Sequence, residues 1–177
     1  MKTTELKTYL ITLEQKALVK EVTDLFQKFP VVKDYYEAKL GSDGTAVLEK
    51  YKAIVTKEFF PERGFGKMRL SVARKAVNDF KKLSNNPVEI TDIMLHYVEQ
   101  GVRFTGEYGD IDEPFYNSME GMYGDALRFI FKNSLIDSFR DRCEEIIEDA
   151  TEGWGFRDGL RSLYEIEILE RLDKTPG

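Results

Sequence analysis

Cysteine, histidine and tryptophan each occur once in the 177 residues, as Cys143, His96 and Trp154. A lone cysteine excludes an intrachain disulfide and a cysteine-ligated structural zinc, and fits a reducing compartment. The opening MKTTELKTYLITLEQ lacks the apolar run of a secretory leader, and no stretch approaches the ~20 apolar residues of a membrane span. These absences lead us to expect a cytoplasmic protein with no membrane partner. Alternating β-branched runs bounded by hairpin turns are missing as well, so no sheet is assigned. Basic residues are absent from Thr105 to Leu127, where six carboxylates stand without a Lys or Arg. The formal charge of −6 argues against general binding to nucleic acid or to an anionic membrane.

What is present is a globular composition, 42% hydrophobic, in a chain long enough to bury about 70% of its unfolded surface. The most irregular stretch is FFPERGFGKMRLSVAR, Phe59 to Arg74. Pro61 removes a backbone donor and pushes Phe60 towards an extended conformation, so the preceding helix should stop there. Gly64 and Gly66 flank Phe65, which predicts a loop that turns the ring inward while Arg63 and Lys67 stay wet. A helix is expected again from Lys67 or Met68. At 100° per residue its Leu70, Val72, Ala73, Ala76, Val77, Phe80 and Leu83 share one arc, and Arg74, Lys81 and Lys82 lie opposite. Arg69 falls inside the apolar arc, where a buried cation needs a carboxylate. The charge is uneven: Lys57 to Lys82 holds eight cations against three anions, and Asp137 to Glu152 seven anions against two cations.

In chain order, the spacing predicts a short helix over Glu5–Ile11, then a capping box of Thr12 with Gln15 opening a second helix to Lys28. Leu13, Ala17, Leu18, Val22, Leu25, Phe26 and Phe29 recur at the spacing of one buried face. Pro30 starts a third helix, ended at Leu40 by Gly41 before the loop GSDG, and a fourth runs over Thr45–Phe59. After the fifth, Ser84-Asn85-Asn86-Pro87 sets up a sixth helix with Ile90, Ile93, Met94, Tyr97, Val98, Gly101, Val102 and Phe104 inward. Pro114 belongs to the first turn of a seventh, with Asp112 and Glu113 at its dipole-positive end. An eighth, Leu135–Ala150, buries Cys143, and a ninth, Arg157–Leu172, follows EGWGF. The expectation is one all-α domain over residues 1–172 with a frayed tail at 173–177. About eight or nine helices would form an antiparallel bundle or a short superhelical stack of helical pairs.

The strings KEFFPERGFGKMRLSVARKA, YGDIDEPFYNSME and GWGF, at Lys57–Ala76, Tyr108–Glu120 and Gly153–Phe156, resemble an uncharacterised bacterial family of small helical proteins, a domain of unknown function. The resemblance implies the all-helical fold and brings no activity, cofactor or catalytic residue with it.

Chemistry-bearing constellations are sparse. His96 is read as an exposed partner of Asp92 at i,i+4, and Cys143 as a buried structural thiol lacking a nearby cation. No catalytic residue, metal site or cofactor is expected. Glu107, Asp110, Asp112 and Glu113 could offer oxygen ligands to a hard cation, but helix capping and ion pairing are the ordinary reasons for acids before a helix. Trp154 is read as core, with an exposed stacking or partner-binding residue as the alternative. Three functions follow in order. The first is a non-enzymatic helical interaction module with a protein partner. The second is a binder of a phosphorylated ligand or nucleic acid through the basic turn and helix 63–82, using Arg63, Lys67, Arg69 and Arg74, with Lys75, Lys81 and Lys82 along the helix. The third is an enzyme combining Arg69 with the acidic loop 107–113. Arg69 is expected to pair with Asp110 or Asp112, less so with Glu107.

Overall fold

The computed structural model describes residues 1–40 and 45–174, and by its contacts the chain divides into two compact units, Met1–Gly44 and Thr45–Gly177. The expected loop GSDG, the helix end at Gly41 and the last three residues of the expected tail lie outside the described residues.

The first unit holds α1 (Thr3–Ile11), α2 (Gln15–Lys28) and α3 (Pro30–Leu40). The capping box does not form. Glu14 is the N-cap of α2, and the Thr12 hydroxyl instead donates back to the Tyr9 carbonyl at 2.6 Å, satisfying an open carbonyl at the end of α1. Nor is the apolar stripe of α2 buried. Phe26 meets Tyr36 of α3 edge to face at 6.2 Å, but Val22, Leu25 and Phe29 remain 40%, 42% and 49% exposed. Two helices joined by one residue cover only part of a stripe that spans a third of the α2 surface.

The second unit holds α4 (Thr45–Phe59), α5 (Leu70–Leu83), α6 (Pro87–Tyr108), α7 (Glu113–Lys132), α8 (Ile136–Asp149), a 3-10 turn at Gly153–Gly155 and α9 (Phe156–Tyr164). α9 continues without a break through a π-helical segment, Glu165–Leu169, into α10 (Glu170–Asp173). With that rod counted once, the described residues form nine helices and no strand, an all-α fold. α6 is the axis of the unit, touching α4, α5, α7 and α8, while α9 closes against α7 and α8. Its start is fixed by sequence: Asn86 accepts from the Val88 N–H at 3.0 Å and Pro87 occupies the first turn. All eight residues expected on its inner side are buried. Gly101 lets α7 approach so closely that a Cβ there would collide with the Met119 sulfur. Phe115, Met119, Met122, Ala126, Leu127 and Ile130 of α7 complete the core as the spacing predicts. Cys143 of α8 is buried too, and burial pushes its thiol up to about 12, far from a reactive thiolate.

Candidate functional site

Three places in the second unit gather polar chemistry: the basic turn, the cleft beside it, and the corner where the acidic loop meets Trp154. The basic turn folds back over the end of α4. Met68 donates its N–H to the Glu58 carbonyl at 2.8 Å, using an acceptor that the helix end leaves open. Gly66 lies so near the Phe59 carbonyl oxygen that a Cβ would clash, while Gly64 (φ +79°) supplies the left-handed conformation of the turn. Met68, at φ 46°, is also left-handed, and this delays α5 to Leu70 rather than Lys67 or Met68.

The late start changes Arg69. It is the N-cap of α5, 55% exposed at its side chain, and does not project into the apolar arc. Its guanidinium grips Glu58 with a bidentate pair, Nε to Oε2 at 2.9 Å and Nη2 to Oε1 at 2.6 Å. That hydrogen bond holds the buried Glu58 carboxyl below its usual range, with Lys67 adding a smaller attraction. Arg69 is therefore paired with Glu58 rather than with Asp110, Asp112 or Glu107. The acids of the loop have other work: Glu107 accepts from Arg103 at 2.9 Å, Asp112 caps α7 by accepting from Phe115 N–H at 3.0 Å, and Asp110 accepts the Tyr116 hydroxyl at 3.0 Å. Among the described residues no group of three or more His, Cys, Asp or Glu side chains could hold a metal ion.

Phe65 is 58% exposed, against the inward ring the glycines suggested, because the turn lays it on the outside of an aromatic cluster. It meets Tyr108 at 4.8 Å and Phe104 at 5.4 Å, and Phe104 in turn contacts the buried Phe59 and Phe115. The cations along α5 are mostly engaged within the chain. Lys75 and Lys82 pair with Asp79, Lys81 lies over the Phe129 ring, and Arg74 reaches Ser118 on α7 and Asp125 at 3.5 Å. Arg63 and Lys67 make no hydrogen bond or ion pair among the described residues. The sequence-expected ligand set of Arg63, Lys67, Arg69 and Arg74 is thus not one cluster: Arg69 faces Glu58, Arg74 faces α7, and Arg63 alone lines the neighbouring cleft.

That cleft, of roughly 790 Å³, runs along one face of α4 to the turn and has His96 of α6 in its wall. His96 is not the exposed residue that its polar neighbours suggested; only 15% of its side chain is accessible. Nε2 shares a hydrogen bond with the Thr56 hydroxyl at 2.8 Å, and Nδ1 stands 3.8 Å from Glu99. Burial first, and then the positive charge of Lys52, holds its pKa below the ordinary value. Behind it lies an ionic network that sequence reasoning missed. Arg142 of α8 donates to Glu99 Oε1 at 2.5 Å and to Asp92 Oδ1 at 2.6 Å, and Lys52 of α4 reaches Asp92 at 3.2 Å. Burial raises the Asp92 carboxyl, but its bonds to Arg142 and Lys52 outweigh that and leave it lowered. The local signal, Asp92, His96 and Glu99 on one side of α6, reads equally well as a solvated face.

At the third place, Trp154 is 63% exposed, not core. It adopts φ 56°, ψ 17°, a left-handed conformation rare for a bulky side chain, and Gly155 follows it at φ +68°. One face of the indole stacks on Tyr116 with centroids 6.2 Å apart and planes 25° from parallel. Burial raises the Tyr116 hydroxyl, and its bond to Asp110 adds to the effect. The Asp110 carboxylate packs against Gly153, where a Cβ would collide with it, so the two irregular segments interlock. Arg157 is engaged within the chain, bonded to the Ala150 carbonyl at 2.8 Å and to Glu152 at 3.3 Å.

Among the described residues no helix is long and apolar enough to cross a membrane. Comparison with curated proteins and with solved structures found no match. A family model does match, over residues 1–167, and that span takes in the basic turn, the cleft and the Trp154 corner alike: the chain belongs to the family of unknown function DUF6155.

Proposed function

We propose that this protein is a non-enzymatic helical interaction module whose protein partner docks at the Trp154 corner through a cationic segment. The observation that carries the reading is the exposed indole, held in a left-handed backbone conformation and backed by Tyr116. Such a conformation costs about 1–2 kcal/mol in a non-glycine residue and persists at sites where the surroundings hold a side chain in place. Tryptophan is the residue most enriched among binding anchors. Its free face is available for an arginine or lysine side chain of the partner, a contact worth about 0.5–1 kcal/mol at an exposed site. The charge supports a cation: Asp110 abuts Gly153, and Glu113 lies in the first turn of the helix that carries Tyr116. Arg69 is committed to Glu58 and so does not supply the basic half of an active site in the acidic loop. The α5 cations, paired within the chain, give less support to a nucleic-acid face.

Because Trp154 is the only tryptophan, its emission reports on this corner alone. Titration with an arginine-containing peptide at physiological salt should change that emission saturably, and Asp110→Asn should weaken the response severalfold. A response that is linear in peptide, or that survives Asp110→Asn unchanged in a folded protein, would sink the reading.

A further inference from the structure

A second site is independent of the Trp154 corner. We infer that the cleft between α4, the basic turn and α6 binds a small ligand through a phosphoryl group, held by Arg63, Lys57, Thr56 and His96. Its volume, roughly 790 Å³, lies in the range of small-molecule sites, about 300–1,000 Å³. The charges in its lining are unequal in availability. Glu49 is paired with Lys52 at 3.2 Å, and Lys52 also binds Asp92, so these groups largely satisfy one another. Lys57 and Arg63 have no hydrogen bond or ion pair among the described residues, and the one remaining acid of the lining is Glu62. Two free cations thus meet a hydroxyl and an imidazole in one concave wall.

A tetrahedral phosphoryl group suits this arrangement because its several oxygens accept from donors arriving from different directions. Here the guanidinium comes from the turn, the ammonium and hydroxyl from α4, and the ring from α6. Arg63 can take two of those oxygens at once, and a lysine acts as a point charge beside it. The phosphoryl-binding expectation for the basic turn therefore moves from the α5 face into the cleft, with only Arg63 retained from the original set. The groups facing His96 are Thr56 and Lys52 of α4, Asp92 and Glu99 of α6 itself, and Arg142 of α8. An added anion favours the imidazolium, so ligand affinity should rise as pH falls towards the lowered pKa of His96 in the free protein.

His96 is the only histidine, so its imidazole Hε1 resonance is assigned without ambiguity. Titration of the full chain with pyrophosphate at constant ionic strength should shift that resonance saturably and move its titration to higher pH. Arg63→Ala and Lys57→Ala should each weaken binding about tenfold, the scale of one charge-assisted contact. Lys81→Ala, on the far side of the basic segment, should leave it unchanged. Three results would overturn the site: a non-saturating shift, an equal effect of citrate at matched ionic strength, or equal weakening by Lys81→Ala. The first means no site, and the other two mean attraction by general charge. None of these depends on whether peptide binds at Trp154, so the two readings fail separately.

Discussion

Glycine has opposite meanings at two positions of this chain, and the difference decides the sign of the same substitution. At Gly66 the turn backbone lies against the Phe59 carbonyl, which cannot retreat without pulling on the end of α4. At Gly106, inside α6, a Cβ would meet nothing within 4 Å. We expect Gly66→Ala to destabilise the fold by about 2–3 kcal/mol, as overpacking against backbone does. Gly106→Ala should stabilise it by about 0.5–1 kcal/mol, since helical glycine carries excess unfolded-state entropy. Chemical unfolding of both variants checks the pair; a Gly66→Ala midpoint equal to wild type would mean that the turn is not anchored as described. At the residue scale Gly64 and Gly66 announced the turn, because only glycine suits such backbone. The outward placement of Phe65 was not legible, since flanking glycines permit either direction and the tie-breaker is Tyr108, over forty positions away.

Between elements, the interior polar network sets a pH dependence. His96 is held below its unfolded value of 6.5 by burial and by Lys52 and Arg142, with Glu99 and Asp92 opposing. A histidine depressed in the folded state is neutral there while the unfolded chain takes up a proton, so its contribution is complete above 6.5 and is lost as pH falls through that value towards the folded pKa. Each tenfold change in proton affinity is worth about 1.4 kcal/mol. Stability measured by denaturant titration should therefore fall as pH drops below about 6.5 in the wild type, and His96→Gln should flatten that fall. Asp92, whose carboxyl is lowered from 3.8, acts in a separate and more acidic range. An identical slope in wild type and His96→Gln would show that the imidazole is not desolvated. The helices themselves were largely legible, because α4, α6 and α7 combine apolar periodicity with Pro or Asn at their starts and breakers at their ends. The network was not, since an Asp92-His96-Glu99 face looks solvated until Lys52 and Arg142 arrive from other helices. Trp154 departs from its expected place in the core as well: a tryptophan at a helix–helix corner is more often packed, whereas here the indole is exposed on a left-handed backbone.

For the molecule as a whole, the apolar burial is distributed unequally between the two units. Among the described residues every buried hydrophobic one lies between Val47 and Ile168, and the one buried residue before them is Asp34. Val19, Val22, Leu25, Phe29 and Val31 of the first unit are all at least 40% exposed. A unit of about forty residues whose described part buries no apolar side chain falls below the size at which a chain sustains its own core. Its helices should open at low free energy, as regions of low contact density do, while the core of the second unit stays closed. Limited proteolysis of the native protein should then cut within α2 or α3 long before any site between Thr45 and Asp173. A fragment of residues 45–177 should unfold cooperatively, with a midpoint within about 5 °C of the full chain, since at this size 1 kcal/mol is worth about 2–4 °C. Its His96 resonance and Trp154 emission should match those of the intact protein, because the cleft and the corner are built wholly from the second unit. A fragment that loses its cooperative transition would mean that the first unit contributes stability well beyond its own buried surface. First cleavage inside α6 or α7 would mean the same. Either outcome would require the exposed apolar face of α2 to be covered when the protein is in solution.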